Sequence, residues 1–147
     1  MSLAMVLIFA GISHAAASNT LTVSATVAGT CKFSSATSTL NFGALDPSVG
    51  SNVNASGTTQ FWCTKGVSTD AVAGDNGAHW SGSSRQMHDN VSGDNIPYSL
   101  SLTKDGNPNN GPASPRTLTI SGTVLGTDYT GVSAGSYADT VTLTINP

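Results

Sequence analysis

The chain lacks glutamate altogether, and charged side chains of any kind are scarce. All eight acidic residues are aspartates, five residues are basic, and charged residues are 9% of the 147 residues. Soluble domains typically carry about 25%. The basic residues form no patch that could neutralise phosphates, which argues against nucleic-acid binding. A surface this poor in charge suits a protein packed into an assembly, or a small secreted domain solubilised by Ser, Thr and Asn.

Strong helix formers are also few, and β-branched and turn-forming residues take their place. Ser and Thr together account for 40 residues and Gly for another 16. No convincing helical periodicity is present beyond residue 17. The length leaves room for one domain with a modest core. The composition therefore predicts a single all-β domain.

No apolar run is long enough to span a bilayer comfortably, but residues 3–12 form an apolar stretch of signal-peptide length. Small residues follow at the spacing that signal peptidase prefers, with cleavage after Ala15 or Ala17. No Lys or Arg precedes the run, and the alternative is a short buried segment kept in the mature protein. We expect residues 1–17 to be a signal peptide, and the mature chain to be exported without a membrane span.

The segment after the signal alternates apolar and polar side chains, as a half-buried strand does. It carries no charge and no proline, the usual devices that protect a free strand edge. Its sheet partner lies either in its own domain or in a neighbouring subunit, and periodicity does not separate the two cases. The inward-facing residues of this predicted strand are Leu21, Val23, Ala25 and Val27.

The two cysteines, Cys31 and Cys63, predict one disulfide in an oxidising compartment. A metal or redox pair is the alternative, but neither a C-x-x-C spacing nor an adjacent histidine supports it. The closed loop predicts about 3.5–4 kcal/mol of stabilisation in the chain-entropy model.

Further strands are predicted where apolar residues alternate or cluster. In one of them Phe61 and Cys63 share a face and Trp62 takes the other. Residues 66–95 are rich in Gly, Asp, Asn and Ser and predict a loop or a short hairpin, and residues 126–135 predict turns. Short strands separated by turns favour an immunoglobulin-like β-sandwich. The predicted strands are residues 29–33, 39–43, 58–64, 97–103, 116–122 and 137–145.

Three constellations with chemical potential favour ordinary structural roles. Residues 131–135 match the G-x-S-x-G pattern around Ser133, but that motif needs a strand–turn–helix context in an α/β sheet. The possible metal ligands His79, His88 and Asp89 are interpreted as solvated loop residues. The aromatic residues Trp62, Trp80 and Tyr129 are more typical of a core or interface than of a sugar platform. No enzyme activity, cofactor or metal is predicted.

Several motifs in order resemble a known family. These are Thr30-Cys31, Leu40-Asn41-Phe42-Gly43, the second cysteine Cys63, and the terminal run from Gly135 to Ile145. Together they resemble the spore coat U-type domain, the subunit of archaic chaperone–usher pili in Gram-negative bacteria. The resemblance spans nearly the whole mature chain.

The resemblance implies a sandwich that lacks one strand and receives it from a neighbour by donor-strand exchange. Residues 18–29 would be the donor segment and residues 30–147 the pilin domain. The implied partners are other copies or related pilins, a periplasmic chaperone and an outer-membrane usher. The implied product is a surface pilus for adhesion or biofilm formation. A self-contained secreted binding module, for carbohydrate or a surface, is the alternative.

Overall fold

The computed structural model describes residues 15–147, so most of the predicted signal peptide lies outside the described part of the chain. Strands dominate the described residues, and the predicted all-β class is confirmed. The elements are β1 (Cys31–Phe33), β2 (Val53–Cys63), β3 (Ala71–Gly74), β4 (Arg85–His88), β5 (Asn95–Lys104), β6 (Arg116–Val124), α1 (Gly126–Tyr129) and β7 (Leu143–Asn146).

The strands form two antiparallel sheets of unequal size. One has five strands in the order β1-β2-β6-β5-β4, and the other contains only β3 and β7. The longest ladder joins β2 to β6, from the pair Val53–Val124 to the pair Phe61–Arg116. The apolar core lies against the inner face of the larger sheet. Its fully or almost fully buried apolar members are Phe61, Cys63, Ile96, Leu118, Ile120, Val124 and Tyr129.

Strand β6 shows how the sequence produces this core. Residues at even positions, among them Leu118 and Val124, point inward and are buried, and the threonines between them are only partly buried. Alternation at period 2 places every second side chain on the same face of a strand. The polar outer face and the apolar inner face of the larger sheet follow directly from this pattern.

Glycine at position 122 lets a neighbouring segment lie close to the sheet. A Cβ on Gly122 would be 2.6 Å from the carbonyl oxygen of Ser99 and 2.9 Å from a methyl carbon of Leu40. Such distances are shorter than van der Waals contact, so any larger residue would push the segment away. Leu40 and Phe42 therefore reach the core from a segment that is not part of either sheet.

Two of the predicted strands are wrong as ladder strands. Residues 39–43 direct Leu40 into the core, but they form no ladder, and Gly43 has a φ of +72°. In the predicted strand 137–145, ladder pairing begins only at Leu143, and an isolated bridge joins Ala138 to His88. Both segments have the side-chain alternation of a strand. Among the described residues, 39–43 have no ladder partner, and residues 137–142 have only the isolated bridge at Ala138.

Of the remaining predicted elements, some are confirmed and others differ from the structure. The strands predicted at 29–33, 58–64, 97–103 and 116–122 correspond to β1, β2, β5 and β6, with β2 starting five residues earlier. The region 66–95, predicted as a loop or hairpin, contributes the short strands β3 and β4. The predicted turns at 126–135 include a four-residue helix, α1. The strand predicted after the signal forms no strand within this chain.

Candidate functional site

The segment that follows the predicted signal is exposed to solvent and lies outside the folded body. Residues 15–29 belong to no strand or helix, and the side chains of Leu21, Val23 and Val27 are each 83% exposed. Ala25 is exposed as well. Exposing three large apolar side chains on one face of a segment is unfavourable by roughly 1.5–3 kcal/mol each relative to burial.

The exit point of this segment is fixed by one threonine. The Thr64 hydroxyl oxygen accepts from the backbone N–H of Thr30 at 3.0 Å and lies 3.3 Å from the carbonyl oxygen of Ala28. Gly29 sits beside the chain's last residue, where a Cβ would be 3.8 Å from the Cβ of Pro147. The segment therefore leaves the domain next to the end of β7.

Two strand edges face each other across an open groove. Within the described residues, β1 pairs only with β2, and β7 pairs only with β3, so each keeps one edge without a ladder partner. The two strands lie near each other. We define the groove as the space between residues 31–42 on one side and residues 137–146 on the other. A strand with its hydrogen-bonding groups free on one edge is a template for pairing with another strand.

The groove is lined by apolar side chains from both walls and from the larger sheet beneath it. One cavity of about 270 Å³ is lined by residues 38–42 and 137–143, and a separate, shallow depression of about 560 Å³ lies between β1 and β7. The apolar lining of the first cavity includes Leu40 and Phe42 on one wall, Val141 and Leu143 on the other, and Met87, Leu100 and Ile120 below.

The core under the groove is incompletely covered. Phe61 and Leu118 are fully buried, but Leu100, Leu102 and Leu143, which pack against that core, keep part of their surface in water. A finished sandwich buries the inner face of both sheets, with side chains interdigitating across about 10 Å. At these partly exposed leucines, no further apolar side chain of the described domain covers the core.

A buried carboxylate holds one wall of the groove. The side chain of Asp139 is 3% exposed and accepts hydrogen bonds from the Tyr98 hydroxyl at 2.6 Å and the Ala78 backbone N–H at 2.9 Å. The Asp139 carboxylate thereby ties the wall to β5 and to the loop after β3. Burial, followed by the hydrogen bond to Asp139, raises the pKa of Tyr98, so this hydroxyl stays a donor at any ordinary pH.

The disulfide holds the other wall. Cys31 and Cys63 are bonded and directly opposite each other in the β1–β2 ladder, with Cα atoms 4.0 Å apart. The predicted disulfide is therefore present in the structure. Because Cys63 is fully buried, the bond fixes β1 to the core of the larger sheet.

A second polar cluster lies at the disulfide end and is fully paired. Arg116 donates to Asp70, to Asp105 at 2.9 Å and to Asn109 at 3.1 Å, and its guanidinium lies 5.1 Å from the ring centre of Phe61. Burial by itself would raise the pKa of Asp105, but hydrogen bonds from the Thr117 N–H and from Arg116 outweigh it and lower the pKa to about 2. The ion pairs and hydrogen bonds of this cluster satisfy its buried polar groups, and its role in the fold is structural.

The residues weighed for catalysis are placed in structural roles. The Ser133 backbone N–H donates to Asp94 at 2.8 Å, and its carbonyl accepts from the Tyr137 hydroxyl at 2.7 Å. Ser133 lies in a loop rather than on a strand–turn–helix elbow. The G-x-S-x-G pattern therefore lacks the context in which its serine becomes a nucleophile.

Of the two histidines predicted to be solvated loop residues, His79 lies in a turn with its side chain 36% exposed, whereas His88 is half-buried in β4. The rings of His79 and His88 stack with centres 4.9 Å apart, and His79 Nδ1 lies 3.3 Å from Asp139. Asp89, predicted as solvated, is 3% exposed. Among residues 15–147, no group of three or more His, Cys, Asp or Glu side chains is arranged to hold a metal ion.

The three aromatic residues considered for sugar binding do not form a shared platform. Tyr129 is buried and donates to the carbonyl of Ser51 at 2.7 Å. Trp80 is 41% exposed near Leu125, and Trp62 pairs across the ladder with Lys32 on the outer face. None of the helices in the described region has the length and apolar content needed to cross a bilayer.

The fold and the groove define an all-β sandwich with an unfinished second sheet. A sequence model of the Spore Coat Protein U domain matches residues 17–144. The chain therefore belongs to the Spore Coat Protein U domain family, and the resemblance noted from its motifs is confirmed.

A solved structure shares the fold at low sequence identity. It is the CsuC–CsuE chaperone–tip adhesion subunit pre-assembly complex from archaic chaperone–usher Csu pili of Acinetobacter baumannii, matched with 19% identity and a TM-score of 0.51. The match covers 82% of this chain and 40% of that chain, so this protein spans about two fifths of it. The predicted immunoglobulin-like class is confirmed. A comparison with curated proteins gives no match.

Proposed function

We propose that the protein is a structural pilus subunit that polymerises by donor-strand exchange. One observation carries the proposal: the same chain has an exposed segment of alternating apolar residues with no partner and an apolar groove between two free strand edges. Each feature supplies what the other lacks. The donor residues are Leu21, Val23, Ala25 and Val27 of one subunit, and the acceptor is the groove of the next.

The donor and the groove agree in size and chemistry. From Leu21 to Val27 an extended chain spans about 20 Å, because a strand rises about 3.3 Å per residue. The groove walls, residues 31–42 and 137–146, contain 12 and 10 residues, so the seven donor residues fit within their length. Insertion buries three large apolar side chains for roughly 1.5–3 kcal/mol each and pairs backbone groups on both edges.

The exit geometry favours a neighbouring copy over the chain's own groove. Only residues 28–30 separate the donor from β1, and Thr64 contacts both Ala28 and Thr30. Folding back into the same domain would require a reversal within this short stretch, with loss of those contacts. Donation to another copy keeps them.

The wider assignment follows from the family and is part of the same proposal. We assign residues 1–17 to a signal peptide, residues 18–29 to the donor segment and residues 30–147 to the pilin domain. The proposal also includes transport through the periplasm, a chaperone that covers the groove and an outer-membrane usher. The product is a surface pilus for adhesion or biofilm formation. The role assigned is structural and non-catalytic.

The first test compares the mature chain with a variant lacking residues 19–27, by unheated gel electrophoresis and negative-stain microscopy. We expect ladders and fibres from the mature chain and none from the truncated one. Well-folded monomers from both would contradict the proposal and favour a self-contained binding module.

A point substitution with a matched control tests the donor register. Val23→Asp places a charge in the apolar groove, where desolvation is costly, and should abolish fibres. Ser24→Asp adds the same charge one residue later on the opposite face and should leave fibres in place. Long fibres from Val23→Asp, or loss of fibres with both variants, would contradict the proposed register.

A further inference from the structure

One wall of the groove is attached to the body in a different way from the other strands. Residues 143–146 pair with β3 in a regular ladder. Upstream, residues 131–142 have only one bridge pair, Ala138 with His88, and two further backbone bonds, from Asp75 to Thr142 and from Ala78 to Thr140. We call residues 131–142 the clasp.

Val132 and Tyr137 of the clasp pack against the core, and aspartate side chains supply its remaining polar attachments. Asp94 accepts from the Ser133 N–H at 2.8 Å, and Asp75 accepts from the Thr142 N–H at 3.0 Å. Asp139, within the clasp, accepts from Tyr98 and from the Ala78 N–H. These bonds lie at both ends and near the middle of the segment.

A fourth aspartate packs closely on the clasp and requires a glycine there. The buried Asp89 carboxylate lies so near Gly135 that a Cβ would be 2.6 Å from its Oδ2. Gly77, with a φ of +81°, similarly leaves room for the Asp139 carboxylate. Because these contacts leave no room for a larger residue, the clasp packs against the rest of the domain in one defined position.

These attachments are charge-assisted hydrogen bonds at spaced points. The hydrogen bond from the Gly77 N–H lowers the pKa of Asp75, and side-chain hydrogen bonds from Ser92 and Ser133 lower the pKa of Asp89 and Asp94, so all three carboxylates are ionised near neutral pH. Bonds of this kind are roughly twice as strong as neutral ones. A segment held at a few such points, with Tyr137 and Val141 facing the groove, can separate from the body without disrupting the larger sheet.

We propose that the clasp opens and closes over the groove as one unit, and that Asp75, Asp89, Asp94 and Asp139 are positioning residues that set how fast a strand enters or leaves. This inference rests on the proposed function, because the entering strand is the donor segment of another copy. Opening widens the groove, and closing packs the Val141 side of the wall onto the inserted strand.

Hydrogen exchange tests whether the clasp is one unit. The measurement uses the full mature chain carrying Val23→Asp, which keeps the groove empty. Asp94→Asn keeps the side-chain shape and removes the charge, and it should lower protection roughly three- to tenfold at Ser133 and also at the distant amides of Ala138 and Thr142. Loss of protection at Ser133 alone would overturn the proposal.

Asp46 provides a matched control. Its carboxylate accepts from the Ser48 N–H at 2.9 Å and from the Ser48 hydroxyl at 2.6 Å in a turn outside the clasp. Asp46→Asn should affect exchange only within that turn. Reduced protection of the clasp amides in this variant would show that charge loss acts globally and would contradict the proposal.

Strand uptake tests the functional part. A synthetic peptide of residues 19–28 is mixed with the same chain and with its Asp94→Asn and Asp75→Asn variants, and the rates of binding and release are followed by stopped-flow fluorescence. Both rates should rise several-fold in the variants relative to Asp46→Asn. Peptide uptake at unchanged rates overturns the clasp and leaves donor exchange standing. No uptake by any variant or by the parent overturns donor exchange itself.

Discussion

The five-stranded sheet and the wall formed by residues 131–146, which comprise the clasp and β7, have similar sequence patterns. They differ in the interactions that attach them to the rest of the domain. In the sheet, β2 and β6 share a continuous nine-pair ladder, and every inner residue of β6 and those of β2 from Thr59 to Cys63 are buried. The wall has a four-pair ladder, side-chain attachments, and leucines that remain partly in water. The same alternating Thr and apolar pattern therefore gives a finished structure only where a partner strand is available.

This contrast locates the unfinished part of the molecule. The chain itself fully covers Phe61 and Leu118 in the core, whereas Leu100 and Leu143 at the groove stay partly in water. The chain carries a segment of suitable pattern but holds it outside the domain. Stability and assembly are coupled in such a design, because anything that fills the groove also completes the core.

The largest expected effect on stability comes from detaching β1 from the finished sheet. Replacing Cys31 and Cys63 together by Ala removes a disulfide that spans 32 residues in sequence. The chain-entropy model gives a loss of about 3.5–4 kcal/mol, measured by urea unfolding of the lone subunit. An unchanged midpoint would show that this wall needs no covalent tether.

Leucine truncations on the two sides of the core sharpen the comparison. Leu118→Ala, at a fully buried position, should cost about 2–5 kcal/mol. Leu143→Ala, at a half-buried groove position, should cost about 1 kcal/mol in the lone subunit and approach the Leu118 value once the 19–28 peptide is bound. Equal costs for Leu143→Ala with and without peptide would contradict an unfinished core.

Low pH should destabilise the wall before it destabilises the five-stranded sheet. We expect this effect on stability to be smaller than the effects of the substitutions above. The folded-state pKa values of Asp75, Asp89 and Asp94 lie below their ordinary value, and that of Asp105 falls from 3.8 to about 2. Their stabilisation is complete above the unfolded pKa and is lost as pH falls through the folded pKa. The melting temperature should therefore hold steady down to about pH 4 and decline towards pH 2.

The order of loss distinguishes the two regions. After correction for intrinsic exchange rates, amides of residues 133–142 should lose protection at a higher pH than amides of β2 and β6. The reverse order, or simultaneous loss, would show that the wall is no weaker than the sheet.

Much of the fold is readable from side-chain alternation, because burial on one face is what alternation reports. This is why the strands around Phe61, Leu100 and Leu118 were predictable. The same signal predicted strands at residues 39–43 and 137–145, but the first forms no ladder and the second pairs as a ladder only from Leu143 onward. Alternation does not report backbone pairing, and these two segments border the groove where a pairing strand is missing.

Other features depend on contacts that the sequence does not reveal. Strands β3 and β4 are only four residues long in a Gly- and Asp-rich region, and they form because β7 and β5 pair with them. The stacking of His79 on His88 and the roles of the aspartates depend on the approach of residues far apart in sequence. The absence of glutamate was a usable signal, because short carboxylates are suited to capturing backbone N–H groups in loops.

The most direct measurement places a photo-reactive benzophenone amino acid at position 23 of the mature chain. Isotopically heavy and light chains are assembled together, irradiated and mapped by mass spectrometry. The account predicts cross-links from position 23 to groove residues such as Leu100 or Leu143, with heavy–light pairs that prove two different chains. Cross-links confined to one chain, or to surfaces away from residues 31–42 and 137–146, would contradict it.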